Sequence, residues 1–97
     1  MTIITAGDFD WDDSKAITNL DKHSVSFEEA AVALTDPNSV DGDDPNDRSR
    51  VITLGLNPMT GVLYVVWTEG NAQRTRIISA RKAQAHERRM YQDALRR

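Results

Sequence analysis

The run Val62-Leu63-Tyr64-Val65-Val66-Trp67 constrains this chain more than any other segment. Six uncharged residues, all but Leu63 β-branched or aromatic, suit a strand covered on both faces, because a half-exposed strand alternates apolar with polar positions. Two further strand-like runs flank it, Arg50 to Leu56 and Arg74 to Ala80. The intervening Asn57-Pro58-Met59-Thr60-Gly61 and Gly70-Asn71 are turn-forming, so an antiparallel meander with the apolar run at its centre is the economical arrangement. A strand in that place needs helices to cover it.

Phe9-Asp10-Trp11 reads as a short strand or extended lead-in, after which Asp12 or Asp13 caps a helix running to about Lys22. Within that helix Ala16, Leu20 and His23 share one face, and Lys15, Asn19 and Lys22 repeat the same spacing on the neighbouring one. His23 is therefore expected at the end of an apolar stripe beside a basic one. Ser26 and Glu29 have the spacing of a capping box, and Phe27, Ala30, Ala31 and Leu34 give the apolar face of a second helix over about 26–34. Arg81 to about Leu95 lacks Gly and Pro and reads as a basic amphipathic helix with Ala83, Met90, Tyr91, Ala94 and Leu95 toward one side. Between Thr35 and Asp47, prolines, a glycine and aspartates predict a long acidic loop without helix or strand. The order β-α-α-β-β-β-α describes one α+β domain over residues 1–97, a small antiparallel sheet packed with helices.

Several function classes drop out. Without cysteine there are no disulfide frameworks, zinc ribbons or thiol nucleophiles, and a reducing cytoplasmic setting is the simplest expectation. The opening Met-Thr-Ile-Ile-Thr-Ala-Gly lacks a basic leader, and no stretch approaches about 18 apolar residues, so neither export nor a membrane span is expected. Walker, dinucleotide-binding, nucleophile-elbow and H-E-x-x-H motifs are missing. Gly42 and Pro45 sit at the wrong places for an EF-hand loop, and no metal site is expected.

The net charge of -3 conceals a segregation. Residues 1–47 carry 12 acidic and 2 basic side chains, giving -10, whereas residues 48–97 carry 3 acidic and 10 basic ones, giving +7. A basic half inside an acidic protein fits a polyanion site on one face, because phosphate contact follows local charge. His23 beside Lys22 supplies a group able to take and give a proton near neutrality. Arg74 and Arg76 share a strand face by the period of two, with Arg81 following. Such a cluster either holds a phosphate or forms an arginine ladder paired with the acidic half. Tyr64 and Trp67 either stack an RNA base or pack in the core. His86, among charged helical residues, is a weaker candidate.

Two segments resemble a known family. W-D-D-S-K-A-I-T-N-L-D-K-H-S-V-S-F-E-E-A at 11–30 and R-T-R-I-I-S-A-R-K-A-Q-A-H-E-R-R-M-Y at 74–91 are similar to the BrnT toxins, with Arg50 to Gly55 and Thr68-Glu69 in matching order between them. Trp67 stands where similar proteins often carry histidine or tyrosine, and Gly70 to Gln73 replaces a more charged turn. The resemblance implies a RelE-like microbial ribonuclease fold and metal-independent endoribonuclease activity that inhibits translation, with no cofactor. It also implies neutralisation by a ribbon-helix-helix antitoxin of the BrnA type, whose complex with the toxin binds promoter DNA through the antitoxin. Matching polar positions are Lys15, Asn19, Lys22, His23, Arg50 and Glu69, then Arg76, Ser79, Arg81, Glu87 and Arg88. From these and the residue chemistry, Lys22, His23, Arg76 and Arg81 are the expected catalytic set, and Lys15, Arg50, Arg74 and Arg88 the expected RNA contacts. The alternative is a non-catalytic nucleic-acid or protein-binding module, an inactive toxin or co-repressor subunit.

Overall fold

A computed structural model describes all 97 residues. Its strands are β1 (Ile3–Ala6), β2 (Phe9–Asp12), β3 (Val40–Asp43), β4 (Val51–Asn57), β5 (Gly61–Glu69) and β6 (Thr75–Lys82). The helices are α1 (Asp13–His23), α2 (Phe27–Leu34) and α3 (Ala85–Leu95). One sheet has the order β1-β2-β6-β5-β4-β3 and is antiparallel except where β2 runs parallel to β6. The expected meander β4-β5-β6 is present with the apolar run at its centre. No helix is long and apolar enough to cross a membrane.

The core lies between the sheet and the α1–α2 layer. Leu63 and Val65 of β5 and Ile77 and Ala80 of β6 point into it, meeting Trp11, Val25, Phe27, Ala30 and Ala33. Trp11 and Phe27 pack edge to face with ring centroids 6.0 Å apart. The Ser26–Glu29 capping box forms as expected, each side chain accepting from the other's backbone N–H at 3.0 Å. On the opposite face Met90 and His86 of α3 line a groove with Ile52, Leu54 and Tyr64, so β5 is covered on both sides.

Helix α2 rides unusually close to β4. A Cβ at Gly55 would sit 2.2 Å from the Ala33 carbonyl oxygen, and backbone cannot yield as a side chain tip can. Gly55→Ala is therefore expected to cost at least about 2 kcal/mol, visible as a lowered urea midpoint; unchanged stability would refute this account of the α2–β4 contact.

Two strands join the expected order. β1 pairs with β2 through the two-residue turn Gly7-Asp8, where Gly7 has φ +58°. β3 forms inside the segment expected to be free of strand, which corrects that expectation. Val40 to Asp43 pair with Leu54 to Val51, because an edge strand takes its whole ladder from one neighbour and tolerates polar side chains turned to water. A side-chain relay reinforces it: Trp67 Nε1 donates to Thr53 Oγ1 at 2.7 Å, and Thr53 Oγ1 donates to Asp41 at 2.6 Å. The last helix begins at Ala85 and not at Arg81, since β6 stays paired with β5 through Lys82. Finally, Leu20 of the expected apolar stripe on α1 is 51% exposed, while Asn19 is buried. Three hydrogen bonds account for the exchange: Asn19 donates to the Val25 and Ala80 carbonyls and accepts from the Ala80 N–H.

Candidate nucleic-acid cleavage site

Asn19 does for β6 what a neighbouring strand would do. Its amide fills both ladder positions of Ala80 and clamps α1 along the β6 edge beyond the short β2 pairing. Between the two elements lies a cleft of about 270 Å³ lined by Lys15, Asn19, Lys22, His23, Ile78 and Ser79 together with Ser14 and Thr18. Lys15 and Lys22 are the only two basic residues among the first 47, and both line this cleft. No three His, Asp or Glu side chains converge as a metal-binding set.

The β6 strand carries a bulge that the period of two does not anticipate. Val66 pairs with Ser79 but Trp67 with Ile77, leaving Ile78 extra. Arg76 and Arg81, five positions apart, would face opposite ways on a regular strand. The bulge turns Arg76, Ser79 and Arg81 onto one face, opposite Thr68, Val66 and Tyr64. Ser79 thus belongs both to the α1–β6 cleft and to the arginine face.

Both arginines are held. Arg76 donates from Nε at 3.0 Å and from Nη2 at 3.2 Å to Asp10, a carboxylate with no solvent exposure. Arg81 donates from Nη1 and Nη2 to Glu87 at 2.8 and 2.9 Å, and its guanidinium lies 3.9 Å over the Tyr64 ring. The hydrogen bond from Arg76 holds the Asp10 carboxyl below its ordinary range, and that from Arg81 does the same for Glu87. Each arginine is reciprocally raised, hence a fixed cation. Glu29 is lowered too, first by the Thr60 hydroxyl and then by the Ser26 N–H. These three groups have lower pKa values folded than unfolded. They therefore stabilise the fold above their ordinary values of 3.8 for Asp and 4.5 for Glu, and the stabilisation is lost as pH falls through the depressed folded values. Thermal melts are expected to shift little between about pH 6 and 7 and downward below about pH 4; a melting temperature flat into that acid range would contradict the assignment.

Of the expected catalytic residues, Lys22 and His23 line the cleft, whereas Arg76 and Arg81 stand on the adjoining sheet face outside its lining. The remaining expected residues apart from Lys15 lie outside it too. Arg50 pairs with Asp47 at 3.4 Å on the surface, Arg74 Nε donates to the Gly7 carbonyl, and Arg88 Nη1 to the Ala83 carbonyl. Glu69 is exposed at the end of β5. Trp67 is tied to Thr53, and one face of Tyr64 is taken by Arg81, which gives both aromatics structural contacts. Sequence reasoning missed Asp10. Its signal was an aspartate between Phe9 and Trp11 in a strand-like run, a place where a carboxylate needs a buried partner.

Residues 11–87 match the family model described as ribonuclease toxin, BrnT, of type II toxin-antitoxin system. The chain belongs to the BrnT family. The match takes in α1, the whole meander and the start of α3, so the cleft and the arginine face of this BrnT chain both fall within it. Among solved structures, the crystal structure of the ribonuclease toxin BrnT of Brucella abortus is similar to it. The two share 22% identity with a TM-score of 0.57, over 76% of this chain and 92% of that one. At that identity the likeness speaks for the fold, a small α+β architecture. No curated protein sequence matches this BrnT chain.

Proposed function

We propose that this BrnT protein cleaves RNA at the α1–β6 cleft by in-line attack of a ribose 2'-OH on the adjacent phosphate, using protein side chains alone and no metal ion or cofactor. His23 or Lys22 moves the proton, while Arg76 and Arg81 stabilise charge developing on the phosphoryl oxygens. The P–O5' bond breaks as the 2'-O–P bond forms, leaving a 2',3'-cyclic phosphate and a 5'-hydroxyl end. Lys15, Arg74, Arg50 and Arg88 contact phosphates along the strand. The support that weighs most is the company His23 keeps: the two cations of the acidic half beside it, and Ser79, which shares a sheet face with Arg76 and Arg81.

In the cell, this activity inhibits translation in the cytoplasm. A ribbon-helix-helix antitoxin of the BrnA type neutralises it and carries the complex to promoter DNA. The ion pairs of Arg76 and Arg81 favour one second reading, in which both arginines serve the fold and the protein only binds. Incubating antitoxin-free protein with a defined RNA in excess EDTA, and mapping the ends, separates the two. New 5'-hydroxyl ends are the expected result, and stoichiometric binding to intact RNA would replace the proposal with the second reading.

A further inference from the structure

We infer that Asp10 is a positioning residue for Arg76, fixing that guanidinium so that its unpaired N–H donors meet an RNA phosphate on the sheet face beside Ser79. The inference rests on the ribonuclease reading above.

Asp10 comes from the acidic half and Arg76 from the basic half, 66 residues later, and the parallel β2–β6 pairing sets them directly opposite one another. A carboxylate without solvent contact is costly unless its oxygens are satisfied. Here they accept from Nε and Nη2 of Arg76 and from the Asn71 N–H at 3.2 Å. Gly70 leaves them room, since a Cβ there would stand 2.4 Å from Asp10 Oδ1. The carboxylate is thus walled in by its neighbours and cannot follow the arginine elsewhere.

A guanidinium has five N–H donors in a rigid fork. Asp10 engages two of them, and the other three of Arg76 meet no acceptor in the fold, on a side chain 23% exposed. Arg81 is committed more heavily: Nη1 serves Glu87 and the Lys82 carbonyl, Nη2 serves Glu87, and one face lies on Tyr64. Of the two arginines, Arg76 keeps the larger donor set for an anion, and Asp10 determines its plane. Fork geometry matters for phosphate because bidentate contact is directional.

Binding of a short fluorescein-labelled 2'-O-methyl oligoribonucleotide, which cannot be cleaved through its 2'-oxygen, tests this by anisotropy across a salt series. Asp10→Asn makes the protein one charge more positive, so plain electrostatics predicts tighter binding. Positioning predicts the reverse: binding weaker by about tenfold, the size of one charge-assisted hydrogen bond. It also predicts a slope of log Kd against log salt reduced by about 0.7, as for one lost phosphate contact on a single strand. Arg76→Gln should show the same loss. Gly70→Ala should as well, and it displaces the Asp10 carboxylate without changing any charge, so it decides the matter if Asp10→Asn fails to fold. Asp10→Asn or Gly70→Ala protein that melts normally and binds as tightly as wild type with an unchanged slope would overturn the inference. An unchanged slope in Arg76→Gln would do the same. In those cases wild-type cleavage with 5'-hydroxyl ends would leave the ribonuclease reading standing, whereas wild type that neither binds nor cleaves RNA overturns both.

Discussion

Protein carrying His23→Ala is expected to cleave RNA about 10²- to 10⁴-fold more slowly than wild type, the usual worth of a positioned acid or base, with its melting curve in place. The two halves of that expectation come from different observations. His23 lines the cleft with Lys22 and Ser79 at the C-terminal end of α1, where its imidazole has no hydrogen-bond or ion-pair partner in the fold, so truncation removes little that holds the molecule together. Asn19, one turn earlier, has the opposite character: its three hydrogen bonds are structural, and its loss would lower activity only by loosening the clamp. Single-turnover cleavage of a defined RNA, alongside circular-dichroism melts, tells the two kinds of loss apart. Wild-type rates in His23→Ala would remove the histidine from the mechanism and leave Lys22 as the cleft's proton carrier.

Arg76→Ala should be the more damaging change to stability, lowering the free energy of unfolding by about 3 kcal/mol or more. The reason lies with the partner left behind. Without the guanidinium, the Asp10 carboxylate keeps only the Asn71 N–H, in a site without solvent. Arg81→Ala is expected to cost less, because Glu87 still accepts from the Gln84 N–H at the start of α3 and retains an 8% exposed side chain. Urea unfolding of the two variants checks the ranking. Equal losses would mean that Asp10 finds water or another donor once Arg76 is gone.

How far the sequence reveals this molecule depends on whether each feature is local. The capping box of α2 and the apolar run of β5 are written in consecutive residues, and both were legible. The β1–β2 hairpin has its only local signal in Gly7-Asp8, and Ile3 to Thr5 before it are too few to show a period. β3 had no signal of its own: Asp41, Gly42 and Asp43 are poor strand formers, and the strand exists because β4 offers a ladder. The site divides the same way. Lys15, Lys22 and His23 share a cleft because helical spacing places them there. That Arg76 and Arg81 share a face depends on the bulge at Ile78, and that Arg76 has a buried anion depends on a parallel pairing across 66 residues. Neither is visible to a reading that moves along the chain one element at a time.

The clamp of Asn19 on Ala80, 61 positions downstream, also fixes the order in which a chain being synthesised acquires its parts. Helix α1 leaves the ribosome early, yet the wall that completes its cleft is β6, among the last elements made. Closing a loop of that length delays contact formation in folding, so Lys22 and His23 face open water until β6 has been made and docks. A chain of this toxin that lacks β6 carries its helix but has no cleft.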